Sequence, residues 1–174
     1  RTRRSVGGGN GFRDVKIVGL HENSEEHHII ITYNIREGPQ YILKHIITSG
    51  NKHITDNDIR NYFSIQIDRH FNPTFIRNQL ISLKREYLKN GNLDIFIMDE
   101  LIIDDTDITL RLNISEGIHY SINKINILGL NAVQKKYIQR EILFFRDEIY
   151  DINKIDLTRK RIFDSGIFSS VEIF

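Results

Sequence analysis

A chain of 174 residues with 40% apolar side chains, 27% charged side chains and only two prolines has the composition of a folded globular protein and leaves no long tract for disorder. A formal net charge of +1 excludes the strongly basic field with which nucleic-acid binders neutralise phosphates, and the absence of cysteine excludes disulfides, thiolate metal sites and cysteine nucleophiles while suiting an oxidising compartment. No apolar run reaches the ~18–20 residues that a spanning helix needs, so the chain reads as soluble, with any targeting sequence or membrane anchor expected outside it.

Residues 1–10 combine arginines with a glycine run whose backbone entropy opposes helix and strand alike, and they read as a flexible basic arm. From Gly11 the sequence alternates. Phe12, Val15 and Ile17, then Ile29, Ile31, Tyr33 and Ile35 beyond a polar turn at Glu22–Glu26, predict a hairpin with one buried face. Glu37-Gly38-Pro39 ends it, and Tyr41–Thr48 predicts a further strand, with Ile42, His45 or Ile46 reaching a core. Thr55 with Asp58 three residues on is an N-terminal cap pattern for a first helix carrying Ile59, Tyr62 and Phe63. After an irregular stretch at Ser64–Pro73, Ile76, Leu80, Leu83 and Tyr87 form the apolar stripe of a second helix, which Asn90-Gly91 stops. Leu93, Ile95 and Ile97 then alternate as a strand, Asp99–Asp107 reads as an acidic turn, and Ile108, Leu110, Leu112 and Ile114 alternate again.

The order then restarts. Glu116-Gly117-Ile118-His119-Tyr120 repeats Glu37-Gly38-Pro39-Gln40-Tyr41 at a distance of 79 residues, and Gly129 repeats Gly50. A strand at Tyr120–Leu128, helices at about Ala132–Leu143 and Ile152–Ser165, and a strand at Val171–Phe174 follow. The repeating unit is strand, helix, helix, strand, strand.

That order, with its recurring Glu-Gly-x-x-Tyr joint, resembles the POTRA (polypeptide-transport-associated) domains that lie in tandem in outer-membrane-protein assembly factors of the BamA family. The resemblance implies an α+β fold of tandem β-α-α-β-β units, each a three-stranded mixed sheet with two helices on one face. On it, residues 11–38 are the C-terminal hairpin of a first unit, 39–117 a complete unit and 118–174 part of a third. It further implies a non-catalytic module without cofactors, on the periplasmic side of the bacterial outer membrane or in an organellar intermembrane space. Its partners would be unfolded outer-membrane-protein clients, accessory proteins of the assembly complex, and its own C-terminal membrane barrel outside this sequence. In such units the second strand tends to lie at an open sheet edge, where an extended client can add as a further strand. Leu93, Asp94, Ile95, Phe96, Ile97 and Met98 are the candidate client-binding edge, with Val15–Val18 as counterpart in the first unit. Glu37, Gly38, Tyr41, Glu116, Gly117 and Tyr120 are the candidate inter-domain joint, whose shortness should limit the angles between units.

Other chemistry is poorly served. The acids between Asp99 and Asp107 lack the spacing of a calcium loop, and His27-His28 would point to opposite faces of a strand, so no metal site is expected. No catalytic motif occurs. Two alternatives stand beside the assembly-factor reading. One is a KH-like nucleic-acid-binding protein, although Ser64–Pro73 lacks that family's Gly-x-x-Gly loop. The other is a POTRA interaction module of a secretion or cell-division protein.

Overall fold

A computed structural model of the chain describes residues 16–25 and 28–173; the predicted arm, Phe12 and Val15 lie outside the described residues. The elements are β1 (Lys16–Glu25), β2 (His28–Arg36), β3 (Ile42–Ser49), α1 (Asp56–Phe63), β4 (Arg69–His70), α2 (Pro73–Lys89), β5 (Phe96–Asp104), β6 (Asp107–Ser115), α3 (Lys135–Glu141) and α4 (Ile152–Asp164). The fold is α+β, as expected. One compact unit comprises the residues up to Ile81 with Ile97–Ile114, and a second comprises Ser82–Phe96 with Ser115–Phe174.

β1 and β2 form a two-stranded antiparallel sheet in which Ile17 pairs along the backbone with Ile35, Leu20 with Tyr33 and Glu22 with Ile31, with a register shift between Ile17 and Gly19. β1 continues to Glu25 and so takes up most of the predicted turn at Glu22–Glu26. The face expected to be buried is open: Ile31, Tyr33 and Ile35 are 50%, 57% and 60% exposed. Alternation marks which side chains share a face, but burial needs a second layer, and no other described strand pairs with this hairpin.

The middle repeat has the layer that the hairpin lacks. Its sheet runs β4-β3-β6-β5, with β3 parallel to β6 from Ile42↔Asp107 to Ser49↔Asn113. Parallel neighbours need a crossover, and the two helices between β3 and β5 supply it. β6 alternates strictly, burying Ile108, Leu110, Leu112 and Ile114, and these share the core of the first unit with Leu43, Ile46, Ile59, Phe63 and Ile76. Leu43 and Ile46 thus fill the core from β3, while His45 is exposed. Gly50, at φ +81°, leaves β3 so close to β6 that a Cβ there would stand 2.1 Å from the Ile114 carbonyl oxygen.

The helix starts follow from the sequence. Thr55 caps α1 by accepting the Asp58 amide at 3.2 Å. The stretch Ser64–Pro73 is ordered by main-chain bonds, which leave little sequence trace: a 3-10 turn at Ser64–Gln66, then β4, with the Asp68 and Phe71 amides donating to the carbonyls of Leu43 and Tyr41 at 2.8 Å each. Asn72 then caps α2 through Phe75 N at 3.0 Å, and Pro73 takes the first helical position, where a missing N–H costs nothing. The predicted strand Leu93–Ile97 and acidic turn Asp99–Asp107 need correction. Residues 93–95 turn, β5 runs from Phe96 through most of the acids to Asp104, and the tip is only Asp105-Thr106, with Asp105 at φ +51°. On an edge strand the exposed positions can carry charge, so acidity did not mark a turn.

The C-terminal repeat copies the first half of the middle one atom for atom in places. Asp147 N donates to Ile122 O at 2.7 Å and Tyr150 N to Tyr120 O at 3.0 Å, and Asp147 has φ +65° where Asp68, 79 residues earlier, has +59°. Asp151 caps α4 through Asn153 N at 2.8 Å. α3 is shorter than the predicted Ala132–Leu143 because Gln134, standing where Thr55 stands, makes no side-chain cap. The predicted strands Tyr120–Leu128 and Val171–Phe174 are absent among the described residues apart from one bridge, Ser121↔Ile149, since no strand in the place of β6 pairs with them.

Two carboxylates give the fold an acid limb. Asn51 Nδ2 and Thr48 Oγ1 donate to Asp56 at 2.8 and 2.7 Å and hold its pKa below the ordinary carboxylate value; Lys154 and the Phe145 amide do the same for Glu148. Both folded pKa values lie below the unfolded ones, so this stabilisation is complete above the unfolded values and is lost as pH falls through the folded ones. Urea midpoints should therefore fall as pH drops below about 4.5. Asp56→Asn and Glu148→Gln together should flatten that fall.

Candidate functional site

β5 is the outer strand of its sheet, bonded to β6 on one side, with no described strand on the other. Peptide N–H and C=O groups on that side alternate outwards along the strand, ready for an extended segment. Of the six edge residues expected from the sequence, Phe96, Ile97 and Met98 lie in β5, and Phe96 and Met98 are 59% and 53% exposed. Asp99, Glu100 and Asp104 follow, and Glu100 is held by Arg111 of β6 at 2.9 Å. The edge thus presents Phe96 and Met98 at its start and Ile103 near its end, with the carboxylates of Asp99 and Glu100 between them and Asp104 at the close, charges that discourage pairing with acidic or like strands.

Leu93, Asp94 and Ile95 belong to the turn after α2, and Asp94 bonds Tyr120 instead. Its Oδ2 accepts the Tyr120 hydroxyl at 2.6 Å, a bond that raises the Tyr120 pKa. The Tyr120 amide donates to Gly91 O at 2.9 Å, and Asn92, fully buried, donates through Nδ2 to Glu116 O at 3.1 Å. Gly91 sits at φ +80°, where a Cβ would stand 2.9 Å from both Tyr120 O and Ile149 Cγ2; Gly117, at φ +68°, would bring one within 2.7 Å of Asp94 Cβ. From α2, Arg85 donates to Asn153 at 2.9 Å and to Asp156 at 2.8 Å on α4. Tyr87 is buried beside the Glu116 carboxylate, and burial first, then that charge, pushes its hydroxyl pKa well up.

The structure therefore brings Glu116, Gly117 and Tyr120 together with Gly91, Asn92 and Asp94. Gly91 and Asn92 lie outside the joint residues expected from the sequence; what ties them to Tyr120 and Glu116 are bonds to main-chain carbonyls, which a side-chain pattern does not encode. At the earlier joint Gly38 has φ +76°, Tyr41 is buried, and Glu37 is exposed. Among the described residues no group of three or more His, Asp or Glu could hold a metal ion, and no helix is long and apolar enough to cross a membrane.

The sequence profile of the POTRA family (surface antigen variable number repeat) matches the chain twice, over residues 41–117 and 120–173. The outer membrane protein assembly factor BamA of Neorickettsia risticii (strain Illinois) is 25% identical over 167 residues, covering 95% of this chain. That of Buchnera aphidicola subsp. Acyrthosiphon pisum is 30% identical over 132 residues, covering 73%. The chain spans 23% and 20% of the lengths of these relatives. The crystal structure of Haemophilus influenzae BamA POTRA3-5 superposes with a TM-score of 0.68 at 17% identity, covering 94% of this chain and 66% of that one. Two profile matches spaced as the internal repeat is spaced, on a fold shared with solved POTRA units, establish that the chain belongs to the POTRA family.

Proposed function

We propose that this chain is a non-catalytic module of an outer-membrane-protein assembly factor, working on the periplasmic side of the outer membrane. It holds unfolded outer-membrane-protein clients and accessory subunits by adding their extended segments to the edge of β5. The observation that carries this reading is the free main-chain edge of β5 with Phe96 and Met98 exposed at its start. Main-chain pairing depends little on sequence, and an outer-membrane client alternates apolar and polar residues along each strand, so one edge can serve many clients. The relatives' role in outer-membrane assembly supports the choice of client.

Within this reading residues 39–117 act as one complete unit, flanked by the hairpin 11–38 of one neighbour and by 118–174 of another. The joint residues Glu116, Gly117 and Tyr120 keep that boundary short.

Photocrosslinking tests the edge. A photoreactive side chain at Met98 should capture an unfolded β-barrel protein, whereas one at Ile81, somewhat more exposed on α2, should capture at least several-fold less. Equal capture at the two positions would remove the edge from the account.

A further inference from the structure

α1 and α3 hold the same place in their repeats, 79 residues apart, yet their outward faces differ in charge. α1 is capped by Thr55 and has Asp56 and Asp58 in its first turn, where acids suit the positive end of the helix dipole. α3 has no side-chain cap and puts Lys135 and Lys136 in that turn, with Tyr137 and Arg140 after them. The lysines oppose the dipole, and a departure from a local rule that brings the fold no gain marks a surface with another task.

The exposure of this face belongs to the unit itself. In the middle repeat, whose four-stranded sheet is formed, Asp56, Asn57, Asp58 and Asn61 are exposed, as Lys135, Lys136, Tyr137 and Arg140 are at the matching positions of α3. The cations of α3 are also unpaired. On the neighbouring α4 the acids are already held, Asp156 by Arg85 and Arg159 and Asp164 by Lys160, and among the described residues no carboxylate pairs with Lys135, Lys136 or Arg140. Tyr137 is 48% exposed, with Lys136 Nζ 5.4 Å and Arg140 Cζ 5.8 Å from its ring centroid. A half-exposed tyrosine beside an arginine is the kind of pair that anchors protein interfaces.

We propose that this face of α3 docks a short, extended acidic segment of a partner protein. Lys136 and Arg140 stand four residues apart, about 6 Å along the helix axis, and carboxylates two residues apart on an extended segment are separated by about 7 Å. A segment of the form acid-x-acid therefore reaches both cations while its backbone lies over the Tyr137 ring. Broader anions fit less well. Lys135, Lys136 and Arg140 fall short of the roughly four to eight basic residues that hold an anionic membrane surface, and with a formal charge of +1 the chain has no wider field for nucleic acid. This docking stands or falls independently of strand addition at β5.

Peptides test it on the whole chain. A blocked peptide of about eight residues, with Glu-Leu-Glu at its centre and Gly-Ser flanks, titrated into nitrogen-labelled protein should shift the amides of residues 135–140, and its affinity should fall at least about threefold between about 50 and about 300 mM salt. The same peptide with Lys-Leu-Lys should shift none of them. Lys136→Glu with Arg140→Glu should weaken the acidic peptide at least about tenfold, while Lys160→Gln, which removes a cation already paired with Asp164, should change its affinity less than about twofold. Lys135→Glu with Lys136→Glu separates docking from folding: acids suit that turn, so the urea midpoint should hold or rise while peptide affinity falls. No shift with the acidic peptide, equal binding of the two peptides, binding that ignores Lys136 and Arg140, a lowered midpoint in the double-lysine variant, or binding to phosphatidylglycerol vesicles in place of the acidic peptide would each overturn the proposal.

Discussion

Gly50→Ala is expected to abolish the folded state of the middle repeat, while Gly129→Ala, the same change at the same place one repeat later, should cost only about 1–2 kcal/mol. Both glycines pay the left-handed backbone penalty when given a side chain, so that term cancels in the comparison. What remains is contact. At Gly50 the added carbon stands 2.1 Å from a backbone oxygen of β6, and β3 can make room only by breaking the parallel ladder that runs from Ile42 to Ser49. Losing that ladder with the core behind it approaches the ~5–15 kcal/mol that stabilises a whole domain. Urea unfolding followed by amide exchange in β3 and β6 should show those amides unprotected in Gly50→Ala and nearly native in Gly129→Ala. Similar effects at the two sites would contradict the difference in contact.

The joint supplies the second large effect. Gly91→Ala combines φ +80° with a collision against the Tyr120 carbonyl, and the flexible end of Ile149 cannot relieve the backbone half of that clash. Roughly 3 kcal/mol or more is expected, from about 1–2 for the backbone region and the rest from displacing Tyr120. The Tyr120 and Tyr150 amides, which donate to Gly91 O and Tyr120 O, should lose exchange protection together. Tyr120→Phe removes only the exposed bond to Asp94, where water replaces the lost partner, and should cost much less. The ordering matters more than the values: the joint is held by close backbone approach at two glycines, with the tyrosine hydroxyl a minor contributor. Equal losses in the two variants would reverse that assignment.

These effects bear on what could be read before the structure. The repeat was legible because Glu37-Gly38 and Glu116-Gly117 recur at fixed distance, and the 79-residue offset holds down to Asp68 and Asp147, which share a left-handed backbone and equivalent bonds. Helix caps were legible where a short polar side chain does the capping, as at Thr55. Three features were not. Leu93, Ile95 and Ile97 alternate like a strand, yet Ile95 is buried from a turn, because alternation records which side chains face inwards without recording whether the backbone is extended. β4 is two residues long and is set by main-chain bonds to Leu43 and Tyr41, which no side-chain pattern encodes. The exposed stripe of β2 and the buried stripe of β6 are the same pattern in sequence, and only the layer packed against each tells them apart.

The β5 edge was half legible. The resemblance pointed to the strand after Gly91, and Phe96 to Met98 lie in it; the rest of the edge is the acidic segment that had looked like a turn. A strand whose outward groups are free needs no continuous apolar sequence, since its binding energy comes from peptide groups common to all residues.

Whether β5 accepts an added strand is decided by amide-resolved exchange on the bound state. With a synthetic peptide of about ten residues carrying the alternating pattern of an outer-membrane strand, alternate amides between Phe96 and Asp104 should gain exchange protection. Cross-strand nuclear Overhauser contacts should join their Cα protons to those of the peptide, while the amides of α1 and α4 remain unchanged. Peptide binding that protects the helices and leaves every second amide of β5 exchanging as in the free protein would contradict the account.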